Sequence, residues 1–375
     1  MNYNISEKLK SLKPYQPGQS EADVKAKYNR EDFIKLASNE SPLKPFESVV
    51  EALKKSVDKQ NLYPDPLCRD LLSVASNYYG INENQILAGN GSNELIDLLI
   101  KLFCNPGDKV LTSKGAFIAY KVCTQANRAD LVEVDLNPDH SISLENYSIE
   151  LEKLKEKNEL PKIIFIPNPN NPTGTYITEK SLDEFMSKWG GNKDLIVVVD
   201  EAYNEFVSAA DFATAKKYLH FENVVMLKTM SKVFGLAGLR LGFLIGSEHL
   251  LSYVHRIRNP FNVNALAQVA GAAALNDQSS IDQIKSLIIS ERDSLEKFFT
   301  EERFSYVPSQ ANFVFFDTGM SALKAHDYFL SQGLIIRPLM PYGFSKHLRI
   351  TIGSGEQMDE VRSILKNFKD WSKKQ

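Results

Sequence analysis

Lys232 lies in Thr229-Met230-Ser231-Lys232-Val233-Phe234-Gly235-Leu236-Ala237-Gly238-Leu239-Arg240, between two apolar runs. A primary amine in a dry pocket forms a Schiff base with an aldehyde, so a lysine in this setting points to carbonyl chemistry. Ser231 beside it and Arg240 on the same segment are group types that hold a phosphate. An aldehyde and a phosphate on one ligand describe pyridoxal 5'-phosphate (PLP), whose ring serves as an electron sink. The chain carries 44 lysines and arginines, most of which belong on a solvated surface. Context separates Lys232 from them. Val224 to Leu227 reads as a buried strand before it and Leu239 to Ile245 as another after it, while Gly235, Gly238 and Gly242 let backbone approach a ligand closely.

Three more constellations fall at expected strand ends. Gly89-Asn90-Gly91-Ser92-Asn93-Glu94 opens a helix, where backbone N–H groups attract phosphate. It is neither G-x-G-x-x-G nor a Walker loop, so it signals no dinucleotide or ATP; the ordinary alternative is a turn with Ser92 capping the helix. Asn168-Pro169-Asn170-Asn171-Pro172-Thr173-Gly174 is a rigid, multiply turned loop in which Asn171 can donate its amide to a phenolic oxygen, or which is a plain turn. Asp200-Glu201-Ala202-Tyr203 follows the apolar run Leu195 to Val199. A carboxylate there is costly unless paired, and a protonated pyridine nitrogen suits Asp200 as partner, with Tyr203 on the ring hydroxyl. The alternative for Asp200 is a helix N-cap.

These groups converge only if the right elements carry them. Apolar strands at 85–88, 109–112, 131–134, 163–166 and 195–199 alternate with helical spacing at 70–79, 93–103, 116–126, 149–157 and 179–189. Strands apolar on both faces, separated by helices, predict an α/β fold with a mostly parallel sheet covered on both sides, which binds ligands at its carboxyl ends. Residues 1–30 read as an arm or extended lead-in, because Pro14 and Pro17 oppose regular structure. Residues 31–275 read as a large PLP-binding domain, in which the part to about residue 45 is a candidate to pack with the small domain. Residues 276–375 read as a smaller α+β domain, with helices at 281–300, 321–332 and 358–369 and strands at 312–316 and 348–352.

Composition narrows the role. A length of 375 residues, 43% hydrophobic and 24% charged, is ordinary for a soluble globular protein, and a net charge of −3 argues against nucleic-acid binding as the main role. Cys68, Cys104 and Cys123 form no C-x-x-C pair, so no disulfide framework and no metal is expected. The first twenty residues contain no apolar stretch of signal-peptide type and no run approaches a membrane span, so a cytoplasmic protein is expected.

The chain resembles the fold-type I PLP enzymes, and within them the histidinol-phosphate aminotransferase family. The matching runs are Lys35 to Pro42, Tyr63-Pro64-Asp65, Gly89 to Glu94, Asn170 to Gly174, Asp200 to Tyr203, Ser231 to Arg240 and Leu348 to Gly353. The resemblance implies a homodimer with a shared active site. Lys232 is then the Schiff-base lysine and proton shuttle, Asp200 the partner of the pyridine nitrogen, and Asn171 and Tyr203 the holders of the ring oxygen. Phe117 stacks on the ring; Ser231, Arg240 and the backbone of Ser92 and Asn93 bind the phosphate, joined by Tyr63 from the other subunit. Arg349, Arg337, Tyr15 and Asn39 line the substrate pocket. The chain departs from the family where Gly115-Ala116 replaces the usual Pro-Thr before Phe117.

The implied reaction is transamination between L-histidinol phosphate and 2-oxoglutarate, in histidine biosynthesis. An aromatic-amino-acid aminotransferase is the alternative on the same scaffold, followed by a decarboxylase of the phosphothreonine type. A non-catalytic PLP-binding protein would want a lost catalytic group, yet Lys232, Asp200 and Arg349 are all present.

Overall fold

The computed structural model of the chain describes residues 5–10, 12, 21–28 and 32–374. Strand β1 (Ile34–Lys35) precedes a seven-stranded sheet formed by β2 (Ile86–Gly89), β3 (Lys109–Ser113), β4 (Asp130–Val134), β5 (Ile163–Pro167), β6 (Ile196–Asp200), β7 (Val224–Thr229) and β8 (Gly242–Ile245). Their order across the sheet is β2-β8-β7-β6-β5-β3-β4. Neighbours from β7 through β4 are parallel, and β8 runs antiparallel to both β2 and β7. The mostly parallel sheet anticipated from the apolar runs is therefore present.

Both faces of the sheet are packed, as the unbroken apolar strands require. Alternate residues divide between two cores. Leu111, Ile164, Ile166, Val197, Val199 and Met226 join one cluster. Val110, Ile163, Phe165, Val198, Val225 and Leu227 join the other, under the helix Ser92–Phe103. Capping follows local chemistry: Thr178 accepts from the Ser181 amide to start Glu179–Trp189, and Gly80 ends Arg69–Tyr79 in the left-handed region.

The C-terminal part holds β9 (Ser305–Val307), β10 (Phe313–Asp317), β11 (Leu334–Ile335), β12 (Arg337–Pro338) and β13 (His347–Thr351). Four of these form an antiparallel sheet in the order β12-β13-β10-β9. β11 instead pairs in parallel with β1, Ile34 facing Leu334, so residues 34–35 join the C-terminal part despite their distance in sequence. The 24-residue helix Gln278–Glu301 links the two parts. Its buried Arg292 donates to the Phe206 carbonyl at 2.9 Å and to Ser208 Oγ at 3.1 Å.

Two expectations need correction, and two helices are additions. The lead-in is not wholly extended: Glu7–Lys10 and Glu21–Tyr28 are helical. The second of these helices lies after Pro14 and Pro17, contains good helix formers, and buries Val24 with Ala37, Leu330 and Ile335. The strand expected from Leu239 begins only at Gly242, because Ala237–Leu239 form a 3-10 turn and Arg240 adopts a φ of 58°. The helices Glu248–Ile257 and Ala265–Leu275 were not anticipated; the second is apolar on most sides and packs against Glu47–Lys54 and Arg69–Tyr79. No helix among the described residues is long and apolar enough to cross a membrane.

Candidate active site

A cleft of about 690 Å³ opens at the carboxyl ends of β5, β6 and β7 and is closed on one side by β12 and β13. Lys232, Asp200, Tyr203, Asn171, Ser92, Asn93, Phe117, Ser231, Arg240, Asn39, Arg337 and Arg349 all line it. Tyr63 does not; it is 82% exposed and stacks on Phe261 with ring centroids 4.6 Å apart. Tyr15 lies outside the described residues. The cleft also takes Lys35, Glu40, Tyr120 and Tyr342, which sequence reasoning missed. Lys35 and Glu40 lie in the matching run Lys35 to Pro42, and Tyr120 stands one helical turn beyond Phe117 and so faces the same way; Tyr342 carried no such signal.

Asp200 is the last residue of β6, at the sheet's carboxyl edge. Its Oδ2 accepts from the Tyr120 hydroxyl at 2.7 Å and its Oδ1 from the Ala202 amide at 3.2 Å, so its described partners are neutral donors. Burial pushes the Asp200 carboxyl up from its ordinary value. The residues after it turn into the 3-10 segment Asn204–Phe206, whose N-cap is Tyr203, so Asp200 is not a helix cap.

Lys232 sits half-buried after β7, its Nζ donating to the carbonyls of Ser38 at 3.3 Å and Asn39 at 3.2 Å. Desolvation, reinforced by Arg349, brings its amine down to about 7, which leaves much of it neutral near pH 7. Its Nζ stands 5.5 Å from the centre of the Tyr203 ring. The Tyr203 hydroxyl accepts from Asn39 Nδ2 at 3.0 Å, and burial raises it to about 12. Asn39 is itself fixed by Thr351, whose hydroxyl donates to its Oδ1 at 3.1 Å.

The buried Arg349 donates to Asn171 Oδ1 and, at 2.7 Å, to the Ala37 carbonyl. With Oδ1 so engaged, the Asn171 NH2 is the end that can donate to a ligand. Arg337 faces Arg349 directly across the antiparallel β12–β13 pair. Like charges directly opposite each other repel, and an anion bound between them would relieve that repulsion.

The helix Ser92–Phe103, whose first residues also line the cleft, starts from Gly91 with no side-chain cap. Ser92 is thus not the capping residue, and the first amides of the helix are free to meet an anion. A side chain at Gly91 (φ 78°) would bring its Cβ within 2.7 Å of Arg240 Nη2, so glycine keeps the guanidinium and the helix start together.

These groups fit PLP. The buried carboxylate served by neutral donors suits a cationic ring nitrogen, and the uncapped helix start with Arg240 and Ser231 suits a phosphate. The comparisons agree. A model of the family described as aminotransferase class I and II matches residues 31–365. A histidinol-phosphate aminotransferase of Bdellovibrio bacteriovorus is 43% identical over 96% of this chain and 97% of that protein. One of Geobacillus thermodenitrificans is 38% identical over 97% and 98%. The chain belongs to the histidinol-phosphate aminotransferase family. Its fold is shared with the solved histidinol-phosphate aminotransferase of Sinorhizobium meliloti, in complex with pyridoxal-5'-phosphate (TM-score 0.87, 24% identity, 98% of both chains). An aspartate aminotransferase of Thermus thermophilus has the same fold (TM-score 0.82, 19% identity, 98% of this chain and 99% of that one).

Proposed function

We propose that the protein transfers an amino group between L-histidinol phosphate and 2-oxoglutarate, giving 3-(imidazol-4-yl)-2-oxopropyl phosphate and L-glutamate. The observation that carries the substrate assignment is the facing pair Arg337–Arg349 in the cleft that holds Lys232. Two guanidiniums answer a dianionic phosphate, and either can fork to the carboxylate of glutamate when the second substrate enters.

PLP, when bound, supplies an aldehyde that condenses with amines and a ring that takes up the electron pair left by a broken Cα–H bond. Lys232 would hold it through Nζ, Asp200 would face the ring nitrogen, and Asn171 and Tyr203 the ring oxygen. Phe117 would cover one ring face, and Ser231, Arg240 and the amides of Ser92 and Asn93 would take the phosphate. Once an incoming amine has displaced it, Lys232, whose amine burial brings down to about 7, would accept the substrate Cα proton at Nζ and hold it there for return to the product. Asp200, as a carboxylate, would keep the ring nitrogen protonated. The reading divides the chain into a large domain over 31–275 and a small one over 276–375, and makes Tyr63 a contribution from a second subunit of a homodimer.

Single-turnover half-reactions test the substrate. Histidinol phosphate should bleach the cofactor's visible band far faster than phenylalanine does. Equal or faster bleaching by phenylalanine would instead make the protein an aromatic-amino-acid aminotransferase.

A further inference from the structure

Immediately beyond Asp200, on the same sheet edge, lies an ion pair that takes no direct part in the chemistry above. Glu201 is 0% exposed and Lys228 3%. Lys228 Nζ lies 2.7 Å from Glu201 Oε2. Glu201 Oε1 accepts from the Ala215 amide at 2.6 Å and from Thr214 Oγ1 at 2.9 Å. Strand register fixes the arrangement: Asp200 faces Leu227 across β6–β7, the Glu201 amide donates to the Leu227 carbonyl, and Lys228 follows. Glu205, on the next 3-10 turn, is a third acidic group in six residues, and Lys228 is the first charge to oppose its protonation.

Stability does not account for such a pair, since well-packed apolar residues in its place are often neutral or better. Electrostatics does. An unneutralised carboxylate at Glu201 would favour a proton on Asp200, whose described partners, Tyr120 and the Ala202 amide, carry no charge to resist it. Tyr203 and Lys232 also face Asp200, and near neutral pH neither supplies a full positive charge.

We propose that the buried Glu201–Lys228 ion pair positions and tunes Asp200, Lys228 cancelling the field of Glu201 and opposing that of Glu205 so that Asp200 stays a carboxylate toward a cationic ring. Both act through Asp200 and touch no reacting atom. The inference rests on the cofactor assignment above.

The test titrates apoenzymes with PLP, following protein fluorescence, and records the pH midpoint of the bound cofactor's visible band. Lys228→Met, which leaves Glu201 and Glu205 without their ammonium, should weaken PLP by about tenfold, the effect of one unit in the proton affinity of Asp200, and displace the midpoint. Glu201→Gln leaves Lys228 facing Glu205 and should keep PLP affinity within about threefold of native. The double variant Glu201→Gln/Lys228→Met should recover most of the loss. Equal losses in the two single variants, or a double variant no better than Lys228→Met, would make the pair purely structural and overturn the inference. Should Lys228→Met not fold, the remaining pair decides: a loss of about tenfold or more in Glu201→Gln or in the double variant overturns it. A native apoenzyme that fails to bind PLP would instead refute the cofactor assignment.

Discussion

At the scale of single residues, Lys232 trades stability for reactivity. Its amine is held down to about 7 by burial, so the folded chain binds that proton less tightly than the unfolded one, whose lysine titrates near 10.5. Between these values the unfolded state carries the extra proton, stability rises with pH, and the cost is fully present below pH 7. Lys232→Met should therefore stabilise the apoenzyme by about 1–2 kcal/mol at pH 6 in urea denaturation, with the gain shrinking as pH climbs through that window. The same change should lower transamination at least about a hundredfold. Arg337→Ala removes one charge from a facing pair; a charge-assisted bond of about 1.5–3 kcal/mol predicts roughly a 10- to 150-fold loss in kcat/KM for histidinol phosphate. The glutamate half-reaction should lose less, since one carboxylate needs only one fork, and equal losses would remove Arg337 from phosphate recognition. Lys232, Asp200 and Arg240 were legible because each sits inside a motif at a strand end. Tyr342 was not, because only the folded chain shows which way its loop points.

Secondary-structure elements explain the one departure from the family pattern. Gly115 follows β3 with a φ of 67°, and a Cβ there would stand 2.7 Å from Phe344 Cζ. Phe344 in turn packs on Phe315 and His140, so a C-terminal loop presses on the turn that presents Phe117 to the cleft. Proline or any β-carbon at 115 is incompatible with that contact. Gly115→Ala should destabilise the protein by about 1–3 kcal/mol in chemical denaturation, and Phe344→Leu on top of it should restore only the part due to the clash, because the left-handed backbone stays strained. Sequence patterning anticipated the parallel sheet well, since strands buried on both faces leave long apolar runs. It missed Ala265–Leu275, where a helix apolar on most sides shows little periodicity, and β11 and β12, which are two residues each. The pairing of β1 with β11 spans 300 positions of sequence; packing of the part before residue 45 against the C-terminal part was expected, but no local pattern encodes the strand register.

On the scale of the whole molecule, every expected site residue among the described ones lines the cleft except Tyr63. That residue stands 82% exposed on Phe261, beside the exposed Leu62 and Leu67, an apolar surface of the kind that a second subunit covers. If Tyr63 completes the site of the partner, two inactive variants should rescue each other. In a mixed dimer of Lys232→Ala with Tyr63→Ala, one site combines both defects, while the other receives its lysine from the Tyr63→Ala chain and its tyrosine from the Lys232→Ala chain, and is intact. Unfolding and refolding an equal mixture gives about half mixed dimers by random pairing, each with one intact site of two, so roughly a quarter of native activity should return. Were Tyr63 to serve the cleft of its own chain, every site would keep one defect, and the mixture would show no more activity than the average of its two parents. The same experiment therefore separates a shared site from a merely adjacent one, because dimerisation without exchange of Tyr63 gives no rescue at all.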